Sequence, residues 1–177
     1  MGSNRSWKSA RRAGAANESP RRLSVTRHPS ATISLPMSEF FDTVVRVRYA
    51  ETDKMGFVYY ANYYIYFEIG RVEYMRQQGV DYRNMEIEDD SFIVVAESRC
   101  RYLRPARYDD PLRIRTRVIS ARRRTITFGY EILHDVSGET LATGETIHVV
   151  CDSHGRPKSL PEKYRRYFKF ETTESSS

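Results

Sequence analysis

The chain has 177 residues, 40% of them hydrophobic, and a formal net charge of +6. This length suits one domain with its own core, and no apolar run approaches the ~20 residues that a membrane-spanning helix needs. Residues 1–36 contain seven of the 29 Lys and Arg but one of the 23 acids, which leaves 22 of each sign in residues 37–177. The formal neutrality of residues 37–177 argues against nucleic-acid binding by the folded part.

Residues 1–36 are rich in Ser, Arg and Ala and lack hydrophobic periodicity, so we expect a disordered basic extension. The favoured interpretation is an inert segment upstream of a start at Met37, in a cytoplasmic protein. The alternatives are an organelle transit peptide and a basic arm for anionic partners. Nucleic-acid binding through this segment ranks last, because Trp7 is its only aromatic residue.

Residues 41–50 alternate in polarity, which predicts a half-buried strand. One face carries Phe41, Thr43, Val45, Val47 and Tyr49. The next segment, residues 51–57, combines a Gly with several polar groups and is expected to be a loop.

Residues 61–78 have helical spacing and no Pro, and Gly79 is a natural end signal. Aromatic residues cover more than a narrow stripe, so we expect this helix to be enclosed by a sheet. Glu68 and Arg71 are spaced to form an ion pair. The apolar contacts are expected from Tyr64, Phe67, Ile69, Val72 and Met75.

Residues 80–90 are predicted to be a polar connection. It ends in an acidic cluster of Glu86, Glu88, Asp89 and Asp90. We interpret this cluster as part of a solvated loop rather than as a metal site. Four strands are expected next, joined by short turns that favour antiparallel pairing, at 91–103, 111–120, 124–135 and 140–152. Pro161 is expected in the first turn of a short helix. The predicted fold class is α+β, with one antiparallel sheet around one helix in a domain of residues 37–170, followed by a disordered tail at 171–177.

The two cysteines, Cys100 and Cys151, lie in apolar strand-like runs and are expected to be thiols in a reducing compartment. No His, Cys and Asp spacing suggests zinc. No histidine lies near the acidic loop, so a nucleophile activated by histidine has no local support. Two carboxylates of that loop, Asp53 and the rival Glu51, remain as candidates for acid–base chemistry.

The decisive pattern is Tyr49-x-x-Thr52-Asp53-x-x-Gly56-x-Val58-Tyr59-Tyr60-x-Asn62-Tyr63, followed by Phe67-Glu68 and Arg71. A second pattern is Tyr102-x-x-Pro105-Ala106, followed by Asp109 and Asp110. Together they resemble the hotdog-fold acyl-CoA thioesterases, of the 4-hydroxybenzoyl-CoA type and the Tol–Pal-associated type. The resemblance implies a hotdog fold, hydrolysis of an acyl-CoA, and a homodimer or homotetramer with active sites at subunit interfaces.

Thioester hydrolysis needs a base or nucleophile and a donor to the developing oxyanion. The resemblance gives these roles to Asp53 and to the main-chain N–H of Tyr60, although an Asp before a helix is also a common turn residue. Tyr60 replaces the His that is common in the Tol–Pal branch. For Glu68, assistance in positioning water is the alternative to its favoured role as the ion-pair partner of Arg71. Substrate contacts are expected from Gly56, Val58, Tyr59, Asn62, Tyr63 and Arg104.

Residues 99–124 contain ten Arg and two acids. They form either a solvated strand face or a cradle for CoA phosphates, for which Arg104 and residues 122–124 are the better candidates. No metal or cofactor is expected, since CoA is part of the substrate. The alternative functions are hydrolysis of acyl carrier protein thioesters and non-catalytic acyl-CoA binding or assembly. The acyl group stays open, because the tyrosines near the helix entrance suit an aromatic acid or simple packing.

Overall fold

The computed structural model describes residues 40–168; the predicted N-terminal extension and the tail at 171–177 lie outside this range. The strands are β1 (Phe41–Arg46), β2 (Phe92–Tyr102), β3 (Pro111–Ala121), β4 (Thr125–His134) and β5 (Thr140–Cys151). The helices are α1 (Asn62–Gln77), α2 (Tyr82–Asp89) and α3 (Glu162–Arg165). The five strands form one antiparallel sheet in the order β1-β3-β4-β5-β2. The α+β prediction and all five predicted strands are therefore confirmed.

Helix α1 packs closely on one face of this sheet. A Cβ at Gly70 would overlap side chains of Thr116 and Ile114, and a Cβ at Gly144 would overlap the ring of Phe67. Glycines at these positions set how near the helix lies to the strands. The buried residues of α1 recur every three or four positions and are Tyr63, Tyr66, Phe67, Gly70, Tyr74 and Met75.

The prediction of one antiparallel sheet around α1 is confirmed, and within residues 40–168 this sheet contacts one side of the helix. The sheet covers only the stripe of α1 that carries the buried residues, whereas Tyr64, Ile65 and Glu68 on the other side are exposed. An amphipathic stripe of this kind is enough to hold a helix on a sheet. Within residues 40–168, no element covers the exposed side of α1, which includes Tyr64 and Ile65.

Two local predictions are corrected. Strand β1 ends at Arg46, and Tyr49 lies in a 3-10 turn (Tyr49–Glu51) with 78% of its surface exposed. The polar connection contains α2, whose N-terminus is capped by the side chain of Asp81 through the N–H of Asn84. Because Met85 is the only buried residue of α2, hydrophobic periodicity could not reveal this helix.

One residue of the acidic cluster, Asp89, connects α2 to α3. Asp89 forms an ion pair with Lys163 at 2.7 Å and accepts a hydrogen bond from the Tyr164 hydroxyl at 2.7 Å. Pro161 immediately precedes α3 instead of lying in its first turn. Within residues 40–168, no group of three or more His, Cys, Asp or Glu is arranged to hold a metal ion.

The arginines of the sheet face opposite α1 form ion pairs with neighbouring carboxylates. Arg113 binds Asp135 at 2.6 Å, and Arg99 binds Glu145 at 2.8 Å. The predicted pair of Glu68 and Arg71 is not among the ion pairs of the described residues. The positive charge of Arg71 instead helps burial to lower the pKa of His148 in the core. The solvated-face interpretation therefore accounts for this part of the arginine-rich segment.

Both cysteines are free thiols, with Cys100 half-buried and Cys151 buried. No helix in the described part of the chain is long and apolar enough to span a membrane.

Candidate active site

The loop between β1 and α1 presents Asp53 by folding back on itself. Asp53 Oδ1 accepts the N–H of Met55 at 2.8 Å and that of Phe57 at 3.4 Å. The Gly56 N–H donates to the Asp53 carbonyl at 2.9 Å, and the φ of Gly56 is +77°. This left-handed conformation explains the glycine, because residues with a Cβ rarely adopt it. Lack of space is not the reason, since a Cβ at Gly56 would meet no atom within 4 Å.

Only one carboxylate oxygen of Asp53, Oδ1, therefore takes part in the hydrogen bonds of the turn. Its second oxygen, Oδ2, has no hydrogen-bond partner among residues 40–168. A carboxylate of this kind is held in place at one atom and remains available to a ligand at the other. The turn and the chemical interpretations of Asp53 are thus compatible.

The entrance to α1 supplies an unpaired donor. Within the described range, no group accepts a hydrogen bond from the main-chain N–H of Tyr60. The carbonyl of Tyr60 accepts the hydroxyl of Tyr102 at 3.0 Å and the N–H of Tyr63 at 3.4 Å. Unpaired N–H groups at a helix N-terminus favour negative charge, since the helix dipole adds to the hydrogen bond.

Asp53 and Tyr60 line the same cavity, with a volume of about 350 Å³. Three other predicted residues also line it, namely Val58, Tyr63 and Arg104. The motifs did not assign a site role to the remaining lining residues, which are Met55, Phe57, Tyr102, Leu103 and Pro105. Tyr102 and Pro105 belong to the second sequence pattern, so that pattern marks a pocket wall as well as a turn.

Four predicted residues do not line the cavity, and their substrate roles stay predictions. Gly56 shapes the turn, and the ring of Tyr59 packs on that of Tyr60 with centroids 4.5 Å apart. Asn62 Nδ2 donates to the Glu51 carbonyl at 2.7 Å, which is a structural contact. Glu68 lies on the exposed side of α1, about two helical turns beyond Tyr60.

The predicted phosphate cradle is partly engaged in contacts within the chain. Arg104 forms an ion pair with Glu139 while also lining the cavity. Arg123 Nε donates to Ser159 Oγ at 2.7 Å. Arg104 is the arginine of this set that lies beside Asp53, and its role toward phosphate stays a prediction.

The rival carboxylate, Glu51, is buried with 5% of its surface exposed and does not line the cavity. Its oxygens accept the N–H of Arg48 at 2.8 Å and the hydroxyl of Tyr66 at 3.0 Å, and Arg48 adds an ion pair at 2.7 Å. Burial raises the pKa of Glu51, but these partners outweigh burial and the net pKa is lowered. Glu51 is therefore an engaged carboxylate and not a free base.

Two larger depressions lie elsewhere and lack this combination of groups. One, of about 420 Å³, lies over the strands around Arg99, Arg117 and Gly129, and the other, of about 520 Å³, lies beside Val72 and Tyr82. Neither contains Asp53. An acyl-transfer hydrolase needs a carboxylate and an unpaired N–H donor in one cavity, so the smaller cavity, lined by Asp53 and Tyr60, is the candidate active site.

Residues 47–168 match the family model of the thioesterase-like superfamily. The chain is 33% identical over 127 residues to the acyl-CoA thioester hydrolase YbgC of Escherichia coli, covering 71% of this chain and 92% of that relative. The solved structure of a DHNA-CoA thioesterase from Staphylococcus aureus is similar at 30% identity and a TM-score of 0.65, covering 73% of this chain and 83% of that one. The chain belongs to the thioesterase-like superfamily, and the predicted class, thioester hydrolase, is confirmed with it.

A solved 4-hydroxybenzoyl-CoA thioesterase is also similar, at a TM-score of 0.68, covering 73% of this chain and 99% of that one. Its sequence identity is 19%, so this likeness concerns the fold alone. The predicted hotdog fold is confirmed.

Proposed function

We propose that this thioesterase hydrolyses an acyl-CoA, with Asp53 as the base or nucleophile and the Tyr60 N–H as the oxyanion donor. One observation carries the assignment of these roles: Asp53, whose carboxylate has a free oxygen, and Tyr60, whose N–H just before α1 has no acceptor within residues 40–168, line one cavity. The choice of CoA is supported by the 33% identity to an acyl-CoA thioester hydrolase.

The reaction converts an acyl-CoA and water into a carboxylic acid and free CoA. In the general-base route, Asp53 Oδ2 takes a proton from water while the water oxygen attacks the carbonyl carbon. The C–S bond then breaks, and the proton passes from Asp53 to the leaving thiolate. In the nucleophilic route, the carboxylate itself attacks, the thiolate leaves, and water cleaves the resulting anhydride.

The Tyr60 N–H would stabilise the negative charge that develops on the carbonyl oxygen in both routes. One donor of this kind is typically worth ~3 kcal/mol of transition-state stabilisation. The walls beside it are largely apolar and aromatic, from Phe57, Val58 and Tyr63. Such walls suit an acyl group. No metal or redox cofactor is needed at any of these steps.

Apolar surface that no element of residues 40–168 covers supports a homodimer or homotetramer, whose active sites we place at subunit interfaces. Edge strand β2 exposes about half of Val94 and Val95, with 49% and 48% of their surfaces accessible. The exposed side of α1 adds Tyr64 and Ile65. Exposed edges and apolar patches of this kind are usually covered by a partner. Light scattering on the purified chain would test the assembly, and a monomer at micromolar concentration would contradict it.

The test of the catalytic assignment is Asp53→Asn, assayed on short-chain, long-chain and aromatic acyl-CoA. We expect kcat to fall at least 100-fold on the best substrate while acyl-CoA still binds with its original affinity. Asp42→Asn, which changes a carboxylate outside the cavity, serves as the matched control and should keep wild-type kcat. Full activity of Asp53→Asn would overturn the assignment.

The same panel separates the alternative functions. Matched thioesters of CoA and of acyl carrier protein, compared by kcat/KM, identify the donor. Absence of hydrolysis with every thioester would favour a binding or assembly role. Location in the cytoplasm is part of the proposal, and imaging of the full-length chain fused at its C-terminus would test it.

A further inference from the structure

The strongest unexplained feature beside the candidate site is the buried Glu51. We propose that Glu51 is a positioning residue for hydrolysis, whose side chain and main-chain carbonyl together hold Asp53 and the Tyr60 N–H in register. This inference rests on the proposed function of those two groups. Glu51 itself does not touch the cavity, so it would act only through its neighbours.

The side chain of Glu51 connects the end of β1 to the middle of α1. Arg48, which precedes the 3-10 turn, donates its main-chain N–H at 2.8 Å and its Nε at 2.9 Å. Tyr66, on the buried side of α1, donates its hydroxyl at 3.0 Å. Hydrogen bonds to a buried charged group are among the stronger ones in proteins. The start of the loop is thereby fixed to the central helix.

The main-chain carbonyl of Glu51 holds the other end of the loop. It accepts the N–H of Tyr59 at 2.9 Å and Nδ2 of Asn62 at 2.7 Å. Tyr59 is the residue immediately before Tyr60, so this bond fixes the peptide that precedes the one carrying the unaccepted N–H. The carbonyl of that next peptide, from Tyr59, accepts the N–H of Asn62 at 2.9 Å. The bridge between Thr52 and Val58 closes the loop between the two ends.

Glu51 is therefore hydrogen-bonded to four residues, and the two proposed reacting groups lie within two residues of Glu51 or of one of these partners. Asp53 follows it by two residues, and Tyr60 follows its hydrogen-bond partner Tyr59. Catalytic geometry is sensitive at this scale, since a displacement of about 1 Å can cost about 100-fold in rate. Weakening the Glu51 contacts should accordingly lower turnover without removing any substrate contact.

The principal test is Glu51→Gln, which keeps the size of the side chain but replaces one acceptor oxygen with an NH₂ donor. That donor would face Arg48 or the Tyr66 hydroxyl, both of which donate in the native protein. We expect kcat to fall about 10- to 100-fold, while KM for the acyl-CoA changes less than about 3-fold. A loss confined to KM would contradict positioning.

A milder variant, Tyr66→Phe, tests the same contact in case Glu51→Gln does not fold. Its matched control is Tyr74→Phe, which removes another buried hydroxyl of α1, bonded to the Tyr167 carbonyl at 3.2 Å and remote from the cavity. We expect Tyr66→Phe to lower kcat about 3- to 10-fold, the factor for one net hydrogen bond. Tyr74→Phe should leave kcat unchanged. Equal kcat values for the two variants would overturn the inference.

A double variant separates positioning from a general structural role. Because Glu51 is proposed to act through Asp53, adding Glu51→Gln to Asp53→Asn should lower the residual kcat by much less than it lowers wild-type kcat. An equal fractional loss in both backgrounds would overturn the inference and leave the thioesterase assignment intact. Full activity of Asp53→Asn alone would overturn the proposed function itself, so the two failures are distinguishable.

Discussion

Tyrosines at the entrance to α1 are exposed, whereas a tyrosine packed against the middle of the helix is buried. At the entrance, Tyr60 and Tyr102 expose 56% and 44% of their surfaces, and the Tyr60 N–H has no acceptor within residues 40–168. In the core, the buried Tyr130 stacks on Phe67 with ring centroids 4.5 Å apart, and its hydroxyl bonds Thr146 Oγ1 at 2.8 Å. The comparison separates the tasks: the core is closed and stabilises the fold, whereas the entrance keeps unused polar groups for a ligand.

The largest effect that tests this comparison is expected from Phe67→Ala in the core. Phe67 is buried against Tyr130 and Gly144, so its removal leaves a cavity. We expect the free energy of unfolding to fall by about 3–5 kcal/mol, measured by urea denaturation. Tyr108→Ala, which removes an exposed ring, should cost less than about 0.5 kcal/mol. Similar losses for both would break the comparison.

The second effect is expected from His148, which is fully buried. Its Nε2 lies 2.8 Å from Thr146 Oγ1, the atom that also bonds the Tyr130 hydroxyl. Burial, together with the positive charge of Arg71, lowers the pKa of His148 to about 4 from its ordinary value of 6.5. The unfolded chain therefore takes up the proton first as the pH falls. Stability should decline between pH 6.5 and pH 4, by up to about 3 kcal/mol, and this contribution should level off below pH 4.

Urea titrations at several pH values would measure this slope. In His148→Leu the contribution should disappear, whereas the exposed His154→Gln should keep it. An unchanged slope in His148→Leu would show that other groups cause the acid sensitivity.

The smallest effect is expected at the entrance, from Tyr102→Phe. The variant removes the hydroxyl that bonds the Tyr60 carbonyl at 3.0 Å, so the first turn of α1 loses one support. We expect kcat to fall about 3- to 10-fold, with little change in the free energy of unfolding. Tyr108→Phe is the control, since that exposed ring does not line the cavity. A loss of stability without a loss of kcat would assign Tyr102 to the core instead.

Sequence reasoning succeeded where the signal was local. Alternating polarity located the strands. The family motif between Asp53 and Tyr63 identified four residues that line one cavity, namely Asp53, Val58, Tyr60 and Tyr63. Sequence reasoning failed where a contact joins distant parts of the chain. Tyr102 reaches the Tyr60 carbonyl across 42 residues, and Tyr66 reaches Glu51 across 15. Neither spacing is a feature of a helix or a strand, so only the tertiary structure could reveal these contacts.

The missed helix α2 and the exposed side of α1 have a related cause. Periodicity detects a helix by the residues it buries, and α2 buries only Met85. On α1 the aromatic residues outnumber the positions that the sheet buries, so periodicity alone could not place Tyr64 on the exposed side.

The close approach of α1 at Gly70 and Gly144 has a consequence for how this enzyme can diverge. These glycines fix the height of the helix above the strands, and with it the position of the Tyr60 N–H. Residues such as Phe57, Met55 and Leu103 line the cavity without taking part in that spacing. Mutation can therefore reshape the wall of the candidate cavity while the position of the Tyr60 N–H is inherited unchanged, and under the proposed function new substrate preferences would arise in small, viable steps.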